Sequence, residues 1–60
     1  MIKEMFYTIN HAMQDGEMSI ECAKALLKSI SVLTGKEYKI IRRRVAYEEN
    51  GQIHDAWANA

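Results

Sequence analysis

The N-terminal part of the chain repeats hydrophobic residues at the spacing of an amphipathic helix. Steps of three and four residues separate Ile2, Met5, Phe6, Ile9 and Met13. This spacing places them on one face, so we predict a helix over residues 2–14. Asp15-Gly16 then interrupts the pattern, and Gly16 suits the left-handed conformation that often follows a helix.

A second helix is predicted from Ile20 to about Leu33, with Ser19 as its N-terminal cap and Thr34-Gly35 at its end. Its main apolar stripe consists of Ile20, Ala23, Leu27 and Ile30, and it is widened by Leu26 and Leu33. Because the stripe is wide, we expect it to contact both the first helix and something else. Two short helices joined by a few residues form an antiparallel hairpin.

The pattern changes from helical to extended after Gly35. Residues 38–41 and 45–47 are rich in β-branched and aromatic side chains, which favour strands. Glu49-Asn50-Gly51 is typical of a hairpin turn. The returning strand is predicted from Ile53 to Trp57.

Two arrangements of this C-terminal half are compatible with the sequence. Arg42-Arg43-Arg44 lie either within one long strand or in a tight turn that makes a three-stranded meander. If Glu49-Asn50 begin a type I turn and Gly51 takes the left-handed bulge position, Tyr47 lies opposite Ile53.

The competing interpretation is a third helix over residues 37–48, which places Tyr38, Ile41 and Val45 on one face. We favour the sheet because such a helix leaves Ile40 and Tyr47 off that face. The expected fold is therefore α+β, a two-helix hairpin followed by an antiparallel β-ribbon. The alternative is an all-α three-helix miniprotein. Residues 1–60 are expected to form a single domain.

A chain of 60 residues has a small core, because a domain of this size buries only about 60% of the surface of its unfolded chain. Its one cysteine, Cys22, excludes an internal disulfide. Together with His11 and His54 it supplies too few ligands for a zinc site. The stabiliser that remains is association, so we predict a homodimer with no metal and no cofactor.

Charge and hydropathy narrow the class of protein further. Eight basic and eight acidic residues give a net charge of zero, whereas dedicated nucleic-acid binders carry a basic excess. No apolar run approaches the roughly 20 residues of a membrane span, and the first residues do not resemble a signal peptide. A single unpaired cysteine suits a reducing compartment, so we expect a cytoplasmic protein without a membrane partner.

A catalytic site is not expected. Cys22 begins the second helix, a position at which a thiol can be reactive. His54 and Asp55, however, are neighbours on a strand and point to opposite faces, so Asp55 does not orient His54 as a base. We interpret Cys22 as a small, half-buried core residue and predict that the protein is not an enzyme.

The residues predicted to contact a partner are three arginines and two aromatics: Arg42, Arg43, Arg44, Tyr47 and Trp57. Arginine binds carboxylates or phosphates through two parallel hydrogen bonds, and Arg, Tyr and Trp dominate interface energetics. The simpler alternative pairs the arginines with Glu48, Glu49 and Asp55 of the same ribbon. Trp57 is expected to pack at a subunit interface, since terminal residues fray unless docked.

The build of the chain resembles the small accessory proteins of bacteriophages. The features that carry this resemblance are the helical hairpin, the segment Leu33-Thr34-Gly35-Lys36-Glu37-Tyr38 and the ribbon ending Ile53-His54-Asp55-Ala56-Trp57. Phage anti-defence proteins, including the small dimeric inhibitors of Hachiman-type systems, are similar in size and character. The resemblance implies a protein that blocks a larger bacterial protein by binding it.

We therefore predict a non-enzymatic inhibitor or regulator that binds a larger bacterial protein stoichiometrically. The alternative is a small nucleic-acid-binding regulator that places the segment Arg42–Arg44 on phosphates. A structural or assembly role in a virion is a third possibility, and it predicts higher-order association.

Overall fold

The computed structural model describes the whole chain, Met1–Ala60. Two helices are followed by three strands, and their bounds are α1 Ile2–Gln14, α2 Ile20–Thr34, β1 Tyr38–Ile41, β2 Arg44–Glu49 and β3 Gln52–Asp55. The strands form one antiparallel sheet in the order β1-β2-β3. The predicted α+β fold is confirmed, with the three-stranded meander as its sheet. The all-α alternative is wrong, because most of residues 37–48 lies in β1 and β2.

The helix ends follow the local sequence signals. The hydroxyl of Ser19 accepts a hydrogen bond from the backbone N–H of Cys22 at 3.1 Å, which caps α2 as predicted. Gly35 ends α2 in the left-handed conformation, at φ 74°, and donates its N–H to the carbonyl of Ser31. Gly16, after α1, has φ 77°. Both glycines occupy a backbone conformation that a Cβ atom disfavours.

Two tight turns connect the strands. Arg42 and Arg43 join β1 to β2 with φ values of 53° and 59°, and Asn50 and Gly51 join β2 to β3 with 54° and 76°. Positive φ at both central residues defines the type I′ turn, whose twist matches that of the flanking strands. Asn-Gly is the preferred pair for this turn, whereas Arg-Arg carries a steric cost at both positions.

The register of the second hairpin differs from the predicted one. Tyr47 lies opposite His54, and Glu48 lies opposite Ile53. The predicted pairing of Tyr47 with Ile53 is wrong because the turn contains two residues instead of three. A shift of one residue exchanges the two faces of a strand, so Ile53 faces away from the helices and His54 stacks on Tyr47, with ring centroids 5.3 Å apart.

The helices cover one face of the sheet. α1 packs against β2 and α2 packs against β1, and each helix contacts the sheet more than it contacts the other helix. The core consists of nine buried side chains: Phe6, Ile9, Met13, Ala23, Leu27, Ile30, Val45, Tyr47 and Ala56. This arrangement leaves the space between the two helices open to solvent.

Neither helix has the combination of length and apolar composition that would let it cross a lipid bilayer.

Candidate functional site

Helix α2 separates its charged residues from a second, uncharged surface. Its three charged side chains, Glu21, Lys24 and Lys28, follow each other at steps of three and four residues and therefore share one narrow arc. The side of α2 that faces neither this arc nor the sheet contains only small and apolar residues. We call this side the helical face; its members, all exposed, are Cys22, Ala25, Leu26, Ser29, Val32 and Leu33.

The helical face includes some of the most exposed hydrophobic side chains in the chain. Val32 is 85% exposed and Leu33 is 77% exposed, although both are branched aliphatic residues in the last turns of a regular helix. Leu26 is also exposed, whereas the next residue in the helix, Leu27, is buried in the core. Exposed apolar side chains on one side of a helix are candidates for contact with another molecule.

An apolar groove adjoins the helical face, between α1 and α2. Its volume is about 390 Å³, and it is lined by Glu4, Met5, Thr8, Ile9, Met18, Leu26, Ser29, Ile30 and Leu33. The groove exists because both helices rest on the sheet and contact each other little. Leu26 and Leu33 therefore form a ridge along one side of a depression of the same apolar character.

One charged side chain, Glu4, lies at the groove, and its charge is compensated locally. Its carboxylate lies 2.7 Å from the amino group of Met1. The hydrogen bond from this amino group, followed by a backbone hydrogen bond, lowers the pKa of Glu4 below its usual value. The groove thus carries one paired charge at its rim and none in its interior.

A different surface lies on the opposite side of α1. The rings of Tyr7 and Trp57 lie with centroids 6.4 Å apart, and the ammonium group of Lys3 sits 4.8 Å from the centre of the Trp57 ring. Tyr7 also packs against the ring of His11, at 4.3 Å between centroids. We call these residues, together with Arg44, the aromatic surface. Tyr7 is 51% exposed and Trp57 is 36% exposed, so both rings are accessible.

The three predicted contact arginines have three different environments. Arg43 donates a hydrogen bond from its guanidinium group to the carbonyl of Met13 at 3.0 Å, at the C-terminal end of α1. Arg44 forms an ion pair with Asp55 across the sheet, at 3.1 Å. Arg42, at the tip of the turn, makes no ion pair and no side-chain hydrogen bond. The structure therefore does not bring the arginines together as one phosphate-binding cluster.

The ion pairs of the ribbon agree only in part with the simpler alternative for these arginines. Asp55 pairs with Arg44 as that alternative expects, but Glu48 pairs with Lys39 at 3.1 Å instead of with an arginine. Both pairs lie on the outer face of the sheet and are solvent-exposed, so each contributes well under about 1 kcal/mol.

Tyr47 lies in the core and not at a contact surface. Its side chain is only 7% exposed, and its ring packs against Tyr38, His54 and the ammonium group of Lys36. Such burial argues against the predicted contact role, because the ring offers almost no surface to a partner. Strand alternation explains this position: Tyr47 shares the inner face of β2 with Val45.

Trp57 and Cys22 lie on different surfaces of the molecule. Trp57 rests on α1 of its own chain through Tyr7 and Lys3 and is still 36% exposed, so its packing at a subunit interface stays a prediction. Cys22 is exposed in the first turn of α2, so its interpretation as a half-buried core residue is wrong. It lies on the helical face, one position away from the buried Ala23.

Sequence reasoning missed Val32 and Ser29 as surface residues of interest, although a signal was present. The three charged residues of α2 span about 60° of its circumference at 3.6 residues per turn, which leaves about five-sixths of the circumference uncharged. A helix that only packs on a sheet needs an apolar stripe of about 100°. The uncharged part of α2 is therefore wider than its packing on the sheet requires.

Comparisons with protein-family models, with curated proteins and with solved structures find no match for this chain.

Proposed function

We propose that this protein is a non-enzymatic inhibitor or regulator that binds a larger protein in a fixed stoichiometry, and that the aromatic surface makes the contact. The observation that carries the proposal is the exposed pair Tyr7 and Trp57, held 6.4 Å apart and bordered by Lys3 and Arg44. Trp, Tyr and Arg are the residue types that most often dominate binding energy at protein interfaces.

The charges around the two rings favour an acidic partner. Lys3 and Arg44 border the rings, and the carboxylate nearest to Arg44, Asp55, is already paired with it. A shallow hollow of about 100 Å³ beside the rings is lined by Tyr7, Asn10, His11, Gln14, Arg44 and Trp57, none of which is acidic. A partner surface with an apolar side chain flanked by carboxylates fits this arrangement.

The specific version of this proposal comes from the resemblance to phage accessory proteins. In that version the larger protein is a bacterial defence protein, and the chain acts in the cytoplasm of the host. The alternative, a nucleic-acid-binding regulator, loses support from the separation of the arginines, because only Arg42 has a side chain free of intramolecular partners. Affinity for nucleic acid depends on several phosphate contacts acting together.

The proposal is tested by affinity capture from bacterial lysate with a tagged chain, with and without nuclease. Tyr7→Ala and Lys3→Glu change the aromatic surface, and Lys28→Glu, on the charged arc of α2, is the matched control. We expect one protein to be retained in about equal molar amount after nuclease, with capture at least about tenfold weaker for both surface variants and unchanged for the control.

Other results contradict the proposal in distinct ways. Nucleic acid retained alone, and lost with nuclease or at raised salt, makes the nucleic-acid alternative primary. Equal capture by all variants shows that the aromatic surface does not make the contact. If the purified chain converts a substrate that is present in the captured fraction, the protein is an enzyme and this part of the proposal is wrong.

A further inference from the structure

We infer that the helical face and the groove are occupied by a second copy of this chain, so that the protein is a two-fold dimer held together through α2. This inference concerns a different surface from the aromatic one and stands without the proposed function. Val32 and Leu33 are largely exposed in the single chain, and the transfer of such apolar side chains from water on association is favourable.

The shape of the surface is self-complementary. A ridge formed by Leu26 and Leu33 borders an apolar groove on the same side of the molecule. Ridge and groove both run along α2, so the ridge of one copy can enter the groove of the other while the reverse contact forms at the same time. A two-fold interface requires this property, because one patch must fit itself.

The charge pattern favours a copy of the same chain over an unrelated partner. Near a two-fold axis each side chain meets its own symmetry mate, so a charge there would face a like charge. The helical face has no charge, and the charges of α2 lie on the arc that points elsewhere. Ala25 and Ser29, in the middle of the face, are small enough to let two helices approach closely.

The available area is close to what a specific dimer needs. α2 has 15 residues, which at a rise of 1.5 Å give a length of about 22 Å, and two adjacent helices are about 20 Å wide. The helical face, the groove and the side of α1 that lines the groove together therefore present about 440 Å² in projection for each copy, or about 900 Å² for the pair; the relief of the side chains adds to this area. A specific interface buries about 1,000–1,200 Å² or more.

The dimer also adds buried apolar surface, of which the single chain has little. Only 11 of 60 residues are buried in the isolated chain, and nine of these form the hydrophobic core. Small domains without disulfides or metals obtain extra burial by association. Because Tyr7 and Met5 point to opposite sides of α1, the aromatic surface stays open in the dimer and is presented twice.

The first test is the mass of the purified chain by sedimentation equilibrium over micromolar to millimolar concentration. We expect twice 6.9 kDa for the wild type. Leu33→Glu places a charge in the interface and should raise the dimer dissociation constant at least about a hundredfold. Because Leu33 is exposed in the single chain, the variant should keep its helical circular dichroism. Lys28→Glu, on the charged arc of the same helix, should remain a dimer.

The second test locates the interface. In a Cys22→Ser background, Ser29→Cys places the one thiol of the chain in the middle of the helical face, and Lys28→Cys places it on the charged arc. A short bismaleimide linker should join two copies of the Ser29→Cys variant covalently and should not cross-link the two copies of the Lys28→Cys variant. Ser29 is exposed, so the substitution does not disturb the core.

Three results would overturn the inference. A mass of 6.9 kDa up to millimolar concentration shows that no second copy covers the face, which then belongs to a different partner. An undiminished dimer in Leu33→Glu, or cross-linking of Lys28→Cys but not of Ser29→Cys, shows that the copies associate elsewhere. Because these measurements use the purified chain alone, their failure is separate from failure of the capture experiment.

Discussion

Asn10 of α1 accepts a hydrogen bond from the backbone N–H of Val45 in β2, and the two atoms are 2.8 Å apart. Strand β3 ends at Asp55, which pairs with Ala46, so no strand residue of β3 lies opposite Val45 to accept its N–H. The carbonyl of Val45 accepts the N–H of Ala56 instead. Asn10 therefore completes the hydrogen bonding of the central strand at the point where β3 stops, and it is the one buried polar residue of the chain.

Replacement of Asn10 by Ala should destabilise the fold. The variant leaves the N–H of Val45 buried without an acceptor, at a cost of about 1–3 kcal/mol. Urea unfolding followed by circular dichroism measures the free energy of unfolding, and all variants are compared at one protein concentration because association shifts apparent stability.

Asn59→Ala is the control for this measurement. Asn59 is also an Asn with a hydrogen bond, from its side-chain amide to the carbonyl of Asp55, but it is exposed. Its replacement should change the free energy of unfolding by no more than about 0.5 kcal/mol. Equal effects of the two substitutions would contradict the assigned role of Asn10.

Substitutions in the first hairpin turn should separate backbone strain from a long-range contact. Arg42 and Arg43 both have positive φ, at a steric cost of about 1–2 kcal/mol each. Glycine removes that cost but loses about 0.5–1 kcal/mol of its own through the entropy of the unfolded chain. Arg42→Gly should therefore stabilise the protein by about 0.5 kcal/mol.

Arg43→Gly relieves the same strain but removes the hydrogen bond to the carbonyl of Met13. A positive charge at the C-terminal end of α1 also interacts favourably with the helix dipole. We expect Arg43→Gly to be less stable than Arg42→Gly by about 1 kcal/mol. Identical unfolding curves for the two variants would show that the contact with α1 contributes nothing.

The N-terminal cap of α2 should respond to removal of one hydroxyl. Ser19→Ala removes the acceptor of the Cys22 N–H and should lower the free energy of unfolding by about 1 kcal/mol. Ser31→Ala, the same substitution in the interior of α2, removes no side-chain hydrogen bond and serves as the control. A loss of stability in Ser31→Ala as large as in Ser19→Ala would contradict a capping effect.

Local chemistry accounts for the features that the sequence predicts correctly. The caps depend on the backbone conformation of one residue, as at Gly16 and Gly35, or on a residue three positions away, as at Ser19. The neighbouring residues in the sequence are therefore enough to place them. The same kind of signal locates the turn at Asn50-Gly51. It does not fix the length of the turn, because a two-residue and a three-residue turn place the same glycine at positive φ.

The environments of the predicted contact residues depend on partners that are distant in the sequence. Arg43 binds the end of α1, Tyr47 faces the helices, and Trp57 rests on Tyr7, which is 50 positions away in the chain. Spacing along the sequence contains no information on which of two faces a strand residue takes until the register is known.

The sequence by itself determined two helices, their caps and an antiparallel ribbon, because periodicity and turn chemistry act over a few residues. The tertiary structure alone decided which of the apolar residues of α2 remain exposed to solvent. Ala23, Leu27 and Ile30 are buried by the sheet, whereas Leu26, Val32 and Leu33 are not. That division depends on where two helices come to rest on a three-stranded surface, which is a property of packing between distant segments and not of any local pattern.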